Sequence, residues 1–179
     1  MSGHSKWAQI KHKKAITDDK KGKVFSKLSK LITLAARTDG PNPDMNSQLR
    51  AIIEKAQAAN MPKDNIDRAI GKGAGPDATQ LSNVVYEAYG PGGSALIITG
   101  VTDNNNRTVA EVRKILGDFG AKMTPGGVLW LFEKTLDSWC PKTLVPLADP
   151  RDKEQLQALT EAVLEHDDVQ GVYSNASYE

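Results

Sequence analysis

The stretch Val84-Val85-Tyr86-Glu87-Ala88-Tyr89, Gly90-Pro91-Gly92-Gly93, Ser94-Ala95-Leu96-Ile97-Ile98-Thr99-Gly100-Val101 decides the fold of this chain. Two runs rich in β-branched and aromatic residues flank four turn-forming residues, and that pattern predicts a β-hairpin with strands over residues 84–89 and 94–101. Upstream of it the apolar spacing is that of helices; at the hairpin the period drops from 3.6 to 2. Downstream, helix and strand patterns alternate. Residues 107–119 read as a helix with Val109, Val112, Ile115 and Leu116 inward and Gly120 as its stop. Residues 128–133 and 143–147 read as strands. Asp149-Pro150 opens a second helix as cap and first position, with Leu156, Leu159 and Val163 facing the core, and residues 169–173 close as a strand. The expected class is α+β, with two helices on a mixed, mostly antiparallel sheet.

Before the hairpin three helices are expected. Val24, Phe25, Leu28, Leu31, Ile32 and Ala35 recur at three- and four-residue spacing until Gly40-Pro41. Leu49, Ile52, Ile53, Ala56 and Ala59 form the face of a second, and Pro62 starts a third with Ile66, Ala69 and Ile70 inward. Gly71-Lys72-Gly73-Ala74-Gly75-Pro76 reads as a linker by composition. The domain division is therefore residues 1–76, a basic arm plus three helices, and residues 77–179, the α/β part.

Charge divides the chain at the same place. The first thirty residues hold nine lysines and two acids, and residues 1–76 carry a net charge of +8 against −7 for residues 77–179. The whole chain is only +1. A lysine cluster of this size points to a phosphate-rich partner, because it gains by releasing condensed counterions. The candidate contacts are Lys6, Trp7, Lys11, His12, Lys13, Lys14, Lys20, Lys21, Lys23 and Lys27, with Trp7 able to stack on a base. Lysine rather than arginine dominance favours diffuse phosphate contact over bidentate base reading.

Other chemistry is poorly supported. With 39% hydrophobic and 25% charged residues the composition is that of a globular protein, not a disordered one. No apolar run approaches membrane-spanning length, and one cysteine, Cys140, allows no internal disulfide. His4 and His12 lack partners at metal-ligand spacing, and His166-Asp167-Asp168 is accounted for by a helix end and a turn. No metal, cofactor or enzymatic activity is expected, and a cytoplasmic location is. A second candidate contact surface comprises Tyr89, Gly90, Pro91, Gly92, Asn104, Asn106 and Arg107, the latter three from a polar run whose helix N-terminus favours anions.

Several long motifs, in order, resemble the YebC family, which includes mitochondrial translational activators of cytochrome oxidase. They are Gly3-His4-Ser5-Lys6-Trp7, Ile10-Lys11-His12-Lys13-Lys14, Phe25-Ser26-Lys27-Leu28, Asn60-Met61-Pro62-Lys63-Asp64-Asn65-Ile66, Tyr86-Glu87-Ala88-Tyr89-Gly90-Pro91-Gly92-Gly93, Thr102-Asp103-Asn104-Asn105-Asn106-Arg107-Thr108 and Asp167-Asp168-Val169-Gln170-Gly171-Val172-Tyr173-Ser174-Asn175. The resemblance implies a regulator of gene expression, labelled in the family either as a DNA-binding transcriptional regulator or as a translation factor. It also implies a third domain inserted in the second; here only a short linker, near residues 133–141, stands at that place. Ribosome, rRNA or tRNA are the favoured partners and duplex DNA the alternative, because a lysine arm without base-reading side chains suits backbone recognition.

Overall fold

The computed structural model describes residues 18–76, 80–136 and 138–178. Three helices come first: α1 (Asp18–Asp39), α2 (Ser47–Ala58) and α3 (Lys63–Ala74). Ile32, Ala35 and Ala36 of α1, Leu49, Ile52 and Ala56 of α2, and Ile66 and Ala69 of α3 form one buried apolar cluster, with Phe25, Leu28 and Leu31 partly buried against it. Gly40 ends α1 with a φ of +94°, a backbone geometry that favours glycine. Asn46 then ties two helices together. Its side-chain oxygen accepts from the Leu49 N–H at the start of α2, and its amide donates to the carbonyls of Ala35 and Gly40 at the end of α1.

The expected linker at residues 71–76 is largely helix. α3 runs on to Ala74, and Gly73 is buried at its crossing with α1. A Cβ on Gly73 would lie 2.4 Å from the Thr33 carbonyl oxygen and 2.9 Å from the Ala36 Cβ. Glycine is there because two backbones meet, and the Thr33 hydroxyl donating to the Ala69 carbonyl marks the same contact.

The second part holds β1 (Ser82–Tyr89), β2 (Ala95–Thr102), α4 (Asn105–Asp118), β3 (Lys122–Met123), β4 (Phe132–Lys134), β5 (Trp139–Pro141), β6 (Val145–Pro146), α5 (Pro150–Leu164), β7 (Val169–Ser174) and β8 (Ala176–Ser177). The class is α+β, as expected. The main sheet has the order β3-β1-β2-β7 and is antiparallel throughout, with Tyr89 opposite Ala95 and Ser82 opposite Thr102 in the hairpin. Among the described residues parallel pairing occurs only between β6 and β8, so the mixed character lies outside the main sheet. Both α4 and α5 pack on one face, where Val112, Leu116, Leu156, Leu159 and Val163 meet Tyr86, Ala88, Leu96, Ile98 and Val169. On the opposite face Ala95 and Ile97 are covered by Val128 and Phe132. Strand β2 is thus buried on both sides, which explains its nearly unbroken apolar run.

Two expected strands are corrected. Residues 128–133 form a 3-10 turn (Leu129–Leu131) and only the short β4, paired with β5 away from the main sheet. The cause is Glu87, whose carboxylate accepts from the backbone N–H groups of Gly126, Val128 and Leu129, leaving those donors unavailable to a ladder. Residues 143–147 shrink to the two-residue β6, where Pro146 has no N–H to offer.

Candidate nucleic-acid interface

Lysines 20, 23, 27 and 30 recur along α1 at intervals of three and four, so they share one side of the helix. Lys20 and Lys21 are exposed near its start. The next three lysines of the row reach oxygens of the second part. Lys23 pairs with Glu165 at 2.5 Å, Lys27 donates to the Leu164 carbonyl, and Lys30 donates to the Asp167 carbonyl and pairs with the Asp168 carboxylate at 2.5 Å. Gln170 returns one bond to the Lys27 carbonyl. The acceptors cluster at the C-terminal end of α5, where exposed helix carbonyls already carry partial negative charge. Lys23 beside it holds the Glu165 carboxyl below its ordinary value.

Asp168 is the hub of this junction. Its side chain is 4% exposed and accepts from Lys30, from Arg107 at 2.9 Å and from the Thr108 hydroxyl at 2.7 Å. Burial works to raise its pKa, but these three bonds outweigh that and hold the carboxyl far below the usual range. Its backbone is placed by a bulge: the β2–β7 register shifts at Thr99/Gly100, the Val101 N–H donates to the Asp168 carbonyl, and a Cβ on Gly100 would lie 2.6 Å from that oxygen.

Polar neighbours complete the cluster. Thr102 and Thr108 share a hydroxyl contact at 2.8 Å, and Tyr86 donates to the Asn105 side chain. The tyrosine's pKa is raised by burial and by the nearby Asp168 charge. Asn104 caps α4 through the Arg107 N–H, and Arg107 also pairs with Asp103. His166 accepts the Asp168 N–H on Nδ1, which requires that nitrogen to be unprotonated; its Nε2–H then serves Glu111 at 2.8 Å. Among the described residues no buried side-chain nitrogen or oxygen lacks a partner, and no group of three His, Cys, Asp or Glu side chains could hold a metal ion.

Lys6, Trp7, Lys11, His12, Lys13 and Lys14 lie outside the described residues. Lys23 and Lys27, read from the sequence as phosphate contacts, are engaged with Glu165 and Leu164. The residues of the second candidate surface are not brought together. Gly90, Pro91 and Gly92 lie at the closed end of the β1–β2 hairpin, and Asn104, Asn106 and Arg107 beyond its other end, roughly 25 Å away for strands of this length. Pro91 is buried, and a Cβ on Gly92 (φ +64°) would run into Leu147 and Asp152 beside the start of α5. Tyr89 is half-exposed and donates to the Gly127 carbonyl. The role of Asp168 was missed by sequence reasoning, because its partners lie 60 and more residues away.

Glu87 and Asp168 together predict an acid limb of stability. Burial opposes ionisation of Glu87 too, but its three backbone N–H bonds win and lower its pKa. Free carboxyls titrate near pH 4, and both folded groups titrate lower, so their stabilisation is complete above about pH 5 and is lost as pH falls through the folded values. The melting temperature should be flat in this respect from pH 7 to about 5, then drop below about 4. Glu87→Gln should flatten part of that drop in a pH series of thermal melts.

Comparison with known proteins places the chain. The description "TACO1/YebC protein N-terminal domain" matches residues 5–76, and "TACO1/YebC second and third domain" matches residues 81–136. The chain belongs to the TACO1/YebC family. Relatives in that family include a "probable transcriptional regulatory protein" of Dictyoglomus turgidum, 48% identical over 170 residues that cover 94% of this chain and 68% of that one. Another of the same description, from Brachyspira hyodysenteriae, is 53% identical over 137 residues covering 75% and 56%. This TACO1/YebC chain thus spans about half to two thirds of the length of these two curated relatives, so part of their sequence has no counterpart in the matched stretch. A crystal structure of a conserved hypothetical protein, Aq1575 from Aquifex aeolicus, superposes with a TM-score of 0.89 at 33% identity, covering 98% of each chain.

Proposed function

We propose that this chain is a non-enzymatic, nucleic-acid-binding regulator of gene expression that acts in the cytoplasm on the ribosome or its RNAs. The observation that carries the reading is the concentration of nine lysines in the first thirty residues, among them the exposed Lys20 and Lys21 at the start of α1. Phosphate attraction of this kind is independent of sequence and suits a folded RNA surface. The saturated hydrogen bonding around Asp168 supports a structural role for the cluster over a catalytic one. A second reading, control of transcription on duplex DNA, is favoured by the names of the bacterial relatives.

Co-sedimentation with ribosomes across a salt series, with random duplex DNA as competitor, separates the two. Ribosome association should survive excess DNA. Replacing Lys11, Lys13 and Lys14 together by Ala should weaken it and flatten the log–log salt slope by about 2–3 units, one lost phosphate contact per lysine. No ribosome association, with tight binding to particular duplexes, would favour transcriptional control instead.

A further inference from the structure

The junction between the two parts is electrostatic. Each of the three apolar clusters among the described residues stays within one part: one in residues 25–70, two in residues 84–176. Across the junction Lys23, Lys27, Lys30 and Gln170 make hydrogen bonds and ion pairs. An interface held by charge and hydrogen bonds, without an apolar core, permits the two sides to move relative to one another.

The nature of the acceptors matters as much as their number. A row of lysines on one helix side is met by two carboxylates and two carbonyl oxygens at a helix C-terminus, all anionic or partly so. A nucleic-acid backbone offers the same lysines the same chemistry: a line of negatively charged oxygens. Lys23 and Glu165 are 45% and 57% exposed in their side chains, so this pair is open to exchange and strongly screened.

We infer that the lysine row of α1 is a docking surface for a nucleic-acid phosphate backbone, and that Glu165 and its neighbours occupy it until the backbone displaces them. This inference rests on the nucleic-acid reading above. Binding then swings the helical part away from α5, because the phosphates take over the bonds that held the two together. The acids act as an internal competitor. Isolated phosphates bind poorly against them, while a long backbone that offers several phosphates to the row at once prevails.

The test uses the full chain with Cys140→Ser, Glu54→Cys and Ala158→Cys, spin-labelled at the two exposed positions on α2 and α5. Inter-label distances are measured without ligand and with a saturating 20-base-pair RNA duplex, and in a parallel arm with the DNA duplex of the same sequence. Affinities are measured for the parent and for Glu165→Gln, an exposed substitution that should melt with the parent. The expected result is a longer inter-label distance on binding and an affinity about two- to five-fold tighter in E165Q, the scale of one surface ion pair. The arm that produces the shift identifies the backbone. A saturated complex with an unchanged distance, or an E165Q affinity no tighter than the parent's, overturns the inference and leaves the nucleic-acid reading standing. Failure of both duplexes to bind overturns both.

Discussion

Asp168→Asn is expected to lower the stability of the protein by about 3 kcal/mol, the largest loss from any single polar substitution in the cluster. Asparagine keeps the shape but not the charge. It leaves Lys30 and Arg107 facing a neutral group, and its amide hydrogens point at donors where a carboxylate accepted from three. Breaking a buried pair costs about 3–5 kcal/mol because the partner is left charged and dry. Here the estimate falls at the low end, since the side chain of Arg107 is 44% exposed and that of Lys30 25%, and both can regain water. Urea unfolding followed by circular dichroism measures the loss. A change below about 1 kcal/mol would mean that the cations do not depend on the acid. Double-mutant cycles with Lys30→Met and Thr108→Val would then apportion the remainder.

Gly73→Ala is expected to destabilise the helical part by about 1–3 kcal/mol, against the usual direction of such a change. In an exposed helix, Ala improves on Gly by about 1 kcal/mol. At this position the added Cβ meets the Thr33 carbonyl oxygen at 2.4 Å, a backbone atom that no rotamer change can move. Relief requires α1 and α3 to separate by several tenths of an ångström, and overpacking of this kind costs about 1–3 kcal/mol and sometimes more. The shift would also strain the Thr33 to Ala69 bond and loosen Ile32, which is fully buried beside it. Gly71, with open space around its Cβ position, is the control. Gly71→Ala should stabilise in the same denaturation experiment, and equal effects at both sites would show that the helices are not in backbone contact.

The contrast between those two glycines shows where the sequence was legible. Composition alone made residues 71–76 a linker, because glycine for flexibility and glycine for close approach look the same without a neighbour in view. The hairpin was readable because its strand periodicity and its turn chemistry are both local, and Asp149-Pro150 announced α5 for the same reason. Residues 128–133 had a strand's composition but not its freedom, since Glu87, some forty residues earlier, had already taken their donors. The lysine cluster was read as a set of phosphate contacts. What the sequence did not disclose is that Glu165 and Asp168, more than 130 residues further along the chain, supply some of them. Long-range pairs of this sort leave no local periodicity to find.

The β4–β5 hairpin has an implication for how this architecture tolerates change. Its two strands leave the body side by side, about 5 Å apart, and its tip is closed by Thr135 and Ser138 with Leu136 almost wholly in solvent. Closure entropy grows only with the logarithm of length, so at such a tip polypeptide can be gained or lost by the dozen residues while every buried contact keeps its place. The hairpin is in effect a splice point. Evolution can edit the size of the molecule there as a modular cassette, without renegotiating the core that the rest of the chain maintains.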